Sequence, residues 1–247
     1  MFFHKKALIE DVVIRNPDPR FAQLLLEQFG GATGELSAAL QYWVQSFHCE
    51  NGPIRDMLQD IAIEEFGHLE MVGRLIESHT KSSDTNEAFA STLFAIRGIG
   101  PHFLDSRGSA WTATYLNEGA DVVRDLRADI AAEAGARQTY EALIKLCPDE
   151  GTKRALVHLL TREISHTAMF MNALQALGKL TDPMFGTVQP DSTVNLYFHL
   201  SKDEGSVQRG PWNSPPNFQF IDDPQPHGGP VHDPTPPASA ASPSNKK

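Results

Sequence analysis

Four long stretches of the chain carry apolar residues at every third or fourth position, which is the spacing of helices that bury one face. We predict helices over about residues 19–51, 53–79, 120–146 and 151–177. Asn51-Gly52-Pro53 separates the first helix from the second, and Gly178 suits the end of the fourth. The segment 80–118, punctuated by glycine and proline, is predicted to be a long crossover connection with room for one short helix. This arrangement is typical of an all-α four-helix bundle.

The character of the sequence changes after Leu180. Ten of the 17 prolines lie beyond Gly210, and such a segment cannot build a core of its own. We therefore predict a bundle domain over 1–180 and an extended, proline-rich C-terminal arm over 181–247. Four apolar residues favour an ordered first part of the arm: Trp212, Phe218, Phe220 and Ile221. From about residue 232 the chain is predicted to be disordered.

Each predicted helix places one or two ionisable residues in the middle of its apolar stripe. The first and third helices carry single glutamates, and the second and fourth each carry a Glu-x-x-His pair. In chain order these residues are Glu35, Glu65, His68, Glu133, Glu163 and His166. Two residues spaced three apart share one helix face, so all six are predicted to meet inside the bundle.

Buried carboxylates need an explanation, because an isolated one costs several kcal/mol in an apolar core. Two divalent cations would turn these carboxylates into ligands, and the helix order matches ferritin-like dimetal bundles. The alternative is exposed carboxylates with satisfied core histidines. Tyr42, seven residues after Glu35, is predicted either to hydrogen-bond a metal-bound group or to pack in the core. Glu64 and Glu70 are predicted to be solvated or salt-bridged.

Composition and charge disfavour several classes of protein: nucleic-acid-binding, membrane-spanning and secreted. The formal charge is −10 with no basic run, which disfavours a nucleic-acid partner. No apolar run has the length of a membrane span, and the N-terminal residues lack the pattern of a secretory signal. Cys49 and Cys147 give no disulfide framework, so a reducing, cytoplasmic location is expected.

The segments that carry these residues resemble the manganese catalases, which are non-haem dimanganese enzymes. The resemblance covers roughly residues 1–220. It is carried by FGGATGELSAALQY (29–42), IEEFGHLEM (63–71), IAAEAGAR (130–137) and TREISH (161–166). It selects manganese, since spacing alone does not distinguish manganese from iron.

The resemblance implies a role for each residue. Glu163 would be a nearby base that handles peroxide protons rather than a ligand. Some family members carry arginine immediately before the third-helix glutamate, where this chain has Ala132, so an outer charge is missing here. The implied ligands are Glu65 bridging both ions, Glu35 and His68 on one ion, and Glu133 and His166 on the other.

The resemblance also implies an activity and an assembly. The activity is disproportionation of hydrogen peroxide, in which two ions that each change by one electron perform two-electron steps. Family members form hexamers with C-terminal arms that wrap neighbouring subunits, and some bind calcium between subunits. Asp56 and Asp60, with tail residues near Asn213, are candidate calcium ligands, although a solvated face is the commoner outcome for aspartates at this spacing.

Two alternatives stay open on the residues alone. The first is a diiron enzyme, a ferroxidase or an iron-storage protein of the same fold. The second is a metal-free structural bundle whose tail mediates assembly.

Overall fold

The structure is a computed structural model, and it describes residues 5, 7, 8, 10, 12–81, 87–200, 209–222 and 224. The chain separates into two compact units, Met1–Phe185 and Gly186–Lys247. The sequence predicted a bundle domain that ends at residue 180, and this domain division stays a prediction. The disorder predicted from about residue 232 falls outside the described residues.

The first unit is helical. Its helices are α1 Pro19–Gly30, α2 Glu35–His48, α3 Gly52–Lys81, α4 Glu87–Ala90, α5 Phe94–Arg97, α6 Val122–Leu146 and α7 Glu150–Ala176. Helices α2, α3, α6 and α7 form the bundle, with α2 against α3 and α6 against α7, while α1 lies along α3. The predicted all-α four-helix bundle is confirmed, and its long crossover runs from α3 to α6. No helix among the described residues is long and apolar enough to cross a membrane.

The first predicted helix is in fact two helices. Helix α1 ends where the amide of Gly31 donates to the Glu27 carbonyl oxygen, and α2 begins at Glu35. The chain turns so tightly between them that a Cβ atom on Gly34 would lie 2.7 Å from the Gln28 carbonyl oxygen. The prediction of one helix over 19–51 was wrong because the apolar period continues on both sides of this turn. The turn makes Glu35 the first residue of α2.

The crossover contains more regular structure than predicted. Two four-residue helices, α4 and α5, are followed by a 3₁₀ turn at Ala113–Tyr115. Helix α5 ends at Gly98, whose φ of +96° is accessible to glycine at little cost.

Two apolar clusters fill the bundle at different heights. One contains Phe21, Leu25, Leu75, Ile76, Leu143 and Leu156 among others. The second contains Leu58, Ile61, Leu126, Phe170 and Leu174 among others. Along α3, Glu65 and His68 fall between members of the second cluster and members of the first. Along α6 and α7 the ionisable residues also lie between members of the two clusters, so they form one polar layer between two apolar layers.

The second unit contains a small parallel pair of strands. Strand β1 is Leu196–Phe198 and β2 is Gln219–Ile221, with Tyr197 opposite Phe220. The guanidinium of Arg209 lies 4.2 Å from the centroid of the Phe220 ring, a cation–π distance. Part of the predicted arm is therefore regular structure.

Candidate metal centre

Six ionisable side chains converge in the polar layer of the bundle. Helix α2 supplies one from its first turn, α6 supplies one from its middle, and α3 and α7 supply two each. Each of the six is at most 2% exposed: Glu35, Glu65, His68, Glu133, Glu163 and His166. The structure thus brings together all the residues that the helical stripes predicted to meet.

Their donor atoms form two overlapping groups, in each of which the atoms lie within 4.8 Å of one another. Glu65 and Glu163 belong to both groups. The first group adds Glu35 and His68, and the second adds Glu133 and His166. Two cation positions that share carboxylates follow from this overlap.

Both histidines turn the same ring nitrogen towards the centre. Nδ1 of His68 lies 2.8 Å from Glu65 Oε2, and Nδ1 of His166 lies 2.7 Å from Glu65 Oε1. The two rings stack with centroids 5.7 Å apart. Nδ1 is therefore the nitrogen presented to a cation on each side, with Glu65 between the two rings.

Two buried tyrosines hold the single glutamates. The hydroxyl of Tyr42 on α2 donates to Glu133 Oε1 at 2.8 Å, and the hydroxyl of Tyr140 on α6 donates to Glu35 Oε1. Each phenol reaches the carboxylate of the opposite helix, so α2 and α6 are linked twice across the centre. Burial, together with Glu133 near Tyr42 and Glu35 near Tyr140, raises the pKa of both phenols well above the usual range.

A second buried network fixes α2 against α6 outside the metal layer. Gln41 Nε2 and Gln45 Nε2 both donate to Asp129 Oδ1, at 2.9 and 2.8 Å. The amide of Asn117 donates to Gln41 Oε1 at 2.8 Å and so ties the crossover to the same point. Burial raises the pKa of the Asp129 carboxyl well above its usual range.

The buried charges perturb one another strongly. Burial and the charge of Glu65 raise the pKa of Glu35 to about 8, and burial with Glu65 and Glu35 raises that of Glu163 well above its usual range. Burial alone would lower the pKa of His166, but contacts with Glu133 and other carboxylates raise it to about 11. Without cations, protons would have to balance this layer, so cation binding must release them.

The donor set fits a pair of divalent cations. Three buried atoms in the layer make no hydrogen bond with the described residues: Glu133 Oε2 and both carboxylate oxygens of Glu163. Buried polar atoms are normally satisfied, and mixed imidazole and carboxylate donors suit intermediate divalent metals. The alternative of exposed carboxylates with satisfied core histidines does not account for these atoms, because the carboxylates are buried.

Comparisons with known proteins decide the family. The chain matches the family described as manganese containing catalase over residues 1–243. It is 34% identical over 214 residues to the probable manganese catalase of Clostridium acetobutylicum, covering 84% of this chain and 94% of that protein. The crystal structure of KatB, a manganese catalase from Anabaena PCC7120, is 74% identical, has a TM-score of 0.87, and covers 91% of this chain and 100% of that chain. The chain belongs to the manganese catalase family.

Membership of the manganese catalase family confirms the resemblance drawn from the ligand segments. It settles the choice of metal that spacing left open, because the cofactor of the family is a dinuclear manganese centre. The diiron alternative is not favoured. Geometry alone does not separate Glu163 from the other donors, since it belongs to both groups; its role as a base stays a prediction.

Two of the candidate calcium residues, Asp56 and Asp60, are not among the residues of this centre. Asp56 and Asp60 line an open surface groove on α3, and among the described residues they join no group of three close donor atoms. Asn213 belongs to the second unit, where its side chain accepts the amide of Gly210. Calcium binding stays a prediction.

Sequence reasoning assigned no role at the centre to three residues around it, although it predicted Glu64 to be solvated or salt-bridged and the structure shows it in an ion pair. Tyr140 follows Glu133 by seven positions, as Tyr42 follows Glu35, so this repeat was a usable signal. Glu64 and Arg162 each precede a Glu-x-x-His pair, and Arg162 Nε donates to Glu64 Oε1 at 2.6 Å. A guanidinium therefore lies beside the centre even though the position before Glu133 is an alanine.

Proposed function

We propose that this chain disproportionates hydrogen peroxide to water and dioxygen at a dinuclear manganese centre held by five side chains. Glu65 would hold both ions, because its two oxygens face the two histidine rings. Glu35 with His68 would hold one ion, and Glu133 with His166 would hold the other. The single observation that carries the assignment is the buried layer of donor atoms with no hydrogen-bond partner, in a chain of this family.

The reaction needs two electrons and two protons in each half. One peroxide takes up both and becomes two waters, and a second peroxide gives up both and becomes dioxygen. When bound, the two manganese ions supply and recover the electrons, one each. The protein must therefore store two protons close to the centre between the halves.

Glu163 is the group placed to handle those protons. Both of its oxygens are buried without a hydrogen bond, and one lies 3.5 Å from Nδ1 of His68. Burial among carboxylates raises the pKa of Glu163 in the absence of cations, and its two unpaired oxygens are available to accept a proton. Tyr42 and Tyr140 orient Glu133 and Glu35, so that neither carboxylate swings away during turnover.

The cellular role follows from the activity. Removal of hydrogen peroxide is a defence against oxidative stress, and a cytoplasmic location fits a chain whose two cysteines are free and buried. A homo-hexamer with the C-terminal arm on a neighbouring subunit agrees with the apolar residues of that arm. Sedimentation of the full chain beside a version ending at residue 185 tests the assembly.

Metal content and gas release test the function together. Protein purified after growth with manganese should contain about two manganese ions per chain and release dioxygen from hydrogen peroxide, with inhibition by azide. Iron in place of manganese, with ferroxidase activity, would establish the diiron alternative. A metal-free chain of unchanged stability would leave only a structural role.

A further inference from the structure

The two Glu-x-x-His pairs are each preceded by a charged residue, and the two charges are opposite. Glu64 precedes the pair on α3, and Arg162 precedes the pair on α7. The guanidinium of Arg162 contacts both oxygens of Glu64, with Nε at 2.6 Å from Oε1 and a terminal nitrogen at 3.5 Å from Oε2. The structure therefore joins the two corresponding positions in one bidentate ion pair.

Glu64 also faces both histidines of the centre from the outside. Its Oε1 lies 3.5 Å from Nε2 of His68, and its Oε2 lies 3.3 Å from Nε2 of His166. Both ring nitrogens are buried and have no other hydrogen-bond partner among the described residues. One carboxylate thus stands opposite the outer nitrogens of two rings whose Nδ1 atoms face inward.

We propose that Glu64, held by Arg162, is the positioning residue that sets the tautomer and orientation of both histidine ligands. This proposal rests on the proposed dimanganese function. It assigns Glu64 no contact with peroxide and no contact with manganese.

The physical reason is that a neutral imidazole carries its proton on only one of its two ring nitrogens. A histidine that binds a cation through Nδ1 must carry its proton on Nε2, and a carboxylate opposite Nε2 selects that tautomer. Glu64 has one oxygen for each ring, so a single side chain selects the tautomer of both. Arg162 fixes the plane of the carboxylate through its two-pronged contact.

The pair is partly exposed at the surface, next to the buried histidines. An open groove of about 590 Å³ on the surface of α3 reaches Glu64 and is bordered on the other side by Met169 of α7. The side chains of Glu64 and Arg162 are 25% and 30% exposed, whereas both histidines are buried. An ordinary surface ion pair would not be expected to face two buried ring nitrogens.

The variant Glu64→Gln tests the proposal by manganese binding. A glutamine has one acceptor oxygen and one donor NH₂, so it satisfies one Nε2–H and opposes the other. One histidine must then move its proton to Nδ1, which blocks a cation. Calorimetric titration of the metal-free variant with manganese should show one ion bound about 10- to 100-fold more weakly than in the natural protein. The electron paramagnetic resonance signal of the coupled pair should weaken in parallel.

Glu77→Gln is the matched control. Glu77 lies on the same helix, pairs with Arg74, and is 29% exposed, close to the exposure of Glu64. This control should bind both ions with unchanged affinity. Equal manganese affinity and an unchanged resonance signal in Glu64→Gln would overturn the proposal, whereas a natural protein that binds no manganese would overturn the proposed function instead.

A charge swap gives a second, independent test that does not depend on the folding of Glu64→Gln. Glu64→Arg with Arg162→Glu puts a carboxylate four residues before His166, the same spacing that Glu64 has from His68. The double variant should bind manganese more tightly than either single variant, by about 10-fold. A double variant no better than the single ones would contradict the positioning role.

Discussion

The two halves of the bundle carry the same ionisable residues at the same spacing, yet their central glutamates differ. Each half begins with a glutamate, follows it seven residues later with a tyrosine, and continues on the next bundle helix with Glu-x-x-His. The halves are Glu35, Tyr42, Glu65 and His68 on α2 and α3, and Glu133, Tyr140, Glu163 and His166 on α6 and α7.

The difference lies in what surrounds Glu65 and Glu163. Burial would raise the pKa of Glu65, but the two histidines hold it well below its usual range, whereas the pKa of Glu163 is well above. Nδ1 of His68 lies 2.8 Å from Glu65 and 3.5 Å from Glu163, and Nδ1 of His166 lies 2.7 Å from Glu65. Equivalent positions in a repeat thus acquire opposite electrostatic character, which suits a bridging ligand in one half and a base in the other.

The largest expected effect comes from Glu65→Ala. Because Glu65 belongs to both donor groups, its loss should abolish binding of both ions and all dioxygen release. Elemental analysis after gel filtration measures the metal. Glu70→Ala on the same helix, where the carboxylate pairs with Arg74, should retain full metal and serves as the control. Retention of two ions in Glu65→Ala would refute the bridging role.

Glu163→Gln should separate metal binding from turnover. The variant keeps the shape of the side chain but loses the base, so it should retain two manganese ions while kcat falls by roughly 10²- to 10⁴-fold. Steady-state dioxygen release against metal content measures both. Full activity would refute the base role, and loss of metal would make Glu163 a ligand like its counterpart; Glu150→Gln, exposed on the same helix, is the control.

The halves also differ at their ends, where His79 of α3 corresponds to Leu177, the residue just after α7; each lies fourteen residues after the central glutamate of its half. His79 Nδ1 accepts the amide of Asp18, and Nε2 lies 3.0 Å from the Thr152 hydroxyl, which donates to Asp149. Burial lowers the pKa of His79 to about 4, although the negative charges of Asp149 and Asp18 act to raise it. A proton on Nδ1 would oppose the amide, so folding favours the neutral ring.

This arrangement predicts an acid sensitivity. The unfolded state takes up a proton on His79 below pH 6.5 and the folded state only below about pH 4, so stability falls as pH falls through that window. The loss attributable to His79 should reach about 3 kcal/mol. The free energy of unfolding, measured with urea at several pH values, should change less with pH in His79→Gln than in His48→Gln, a control at an exposed histidine. Equal slopes would contradict the assignment.

The smallest effects are expected at the two tyrosines, and they test the symmetry directly. Tyr140→Phe removes the hydrogen bond to Glu35, and Tyr42→Phe removes the one to Glu133. Each variant should therefore lower the affinity for one manganese ion by about 10-fold or less, and the two variants should affect different ions. Manganese titration of the two single variants and of Tyr115→Phe, a control in the crossover, measures this. If both variants lowered the affinity for the same ion, the assignment of one tyrosine to each ion would be wrong.

Much of this centre could be predicted from sequence, because a helix fixes which residues share a face. The spacings of Glu65 with His68 and of Glu163 with His166 were sufficient to predict a shared layer of donors. The break between α1 and α2 was missed, because apolar periodicity is the same on both sides of the turn at Gly31 and Gly34. That break matters because it makes Glu35 the first residue of α2.

Apart from the break between α1 and α2, the sequence by itself determined the bundle helices and the six ionisable residues that share their inner faces, since these depend on spacing within each helix. Only the tertiary structure decided which partners lie across helices. It directed Tyr140 to Glu35, paired Glu64 with Arg162, and placed Glu65 rather than Glu163 between the two rings. Such contacts depend on how neighbouring helices are rotated and offset, and no periodicity along a single chain records that.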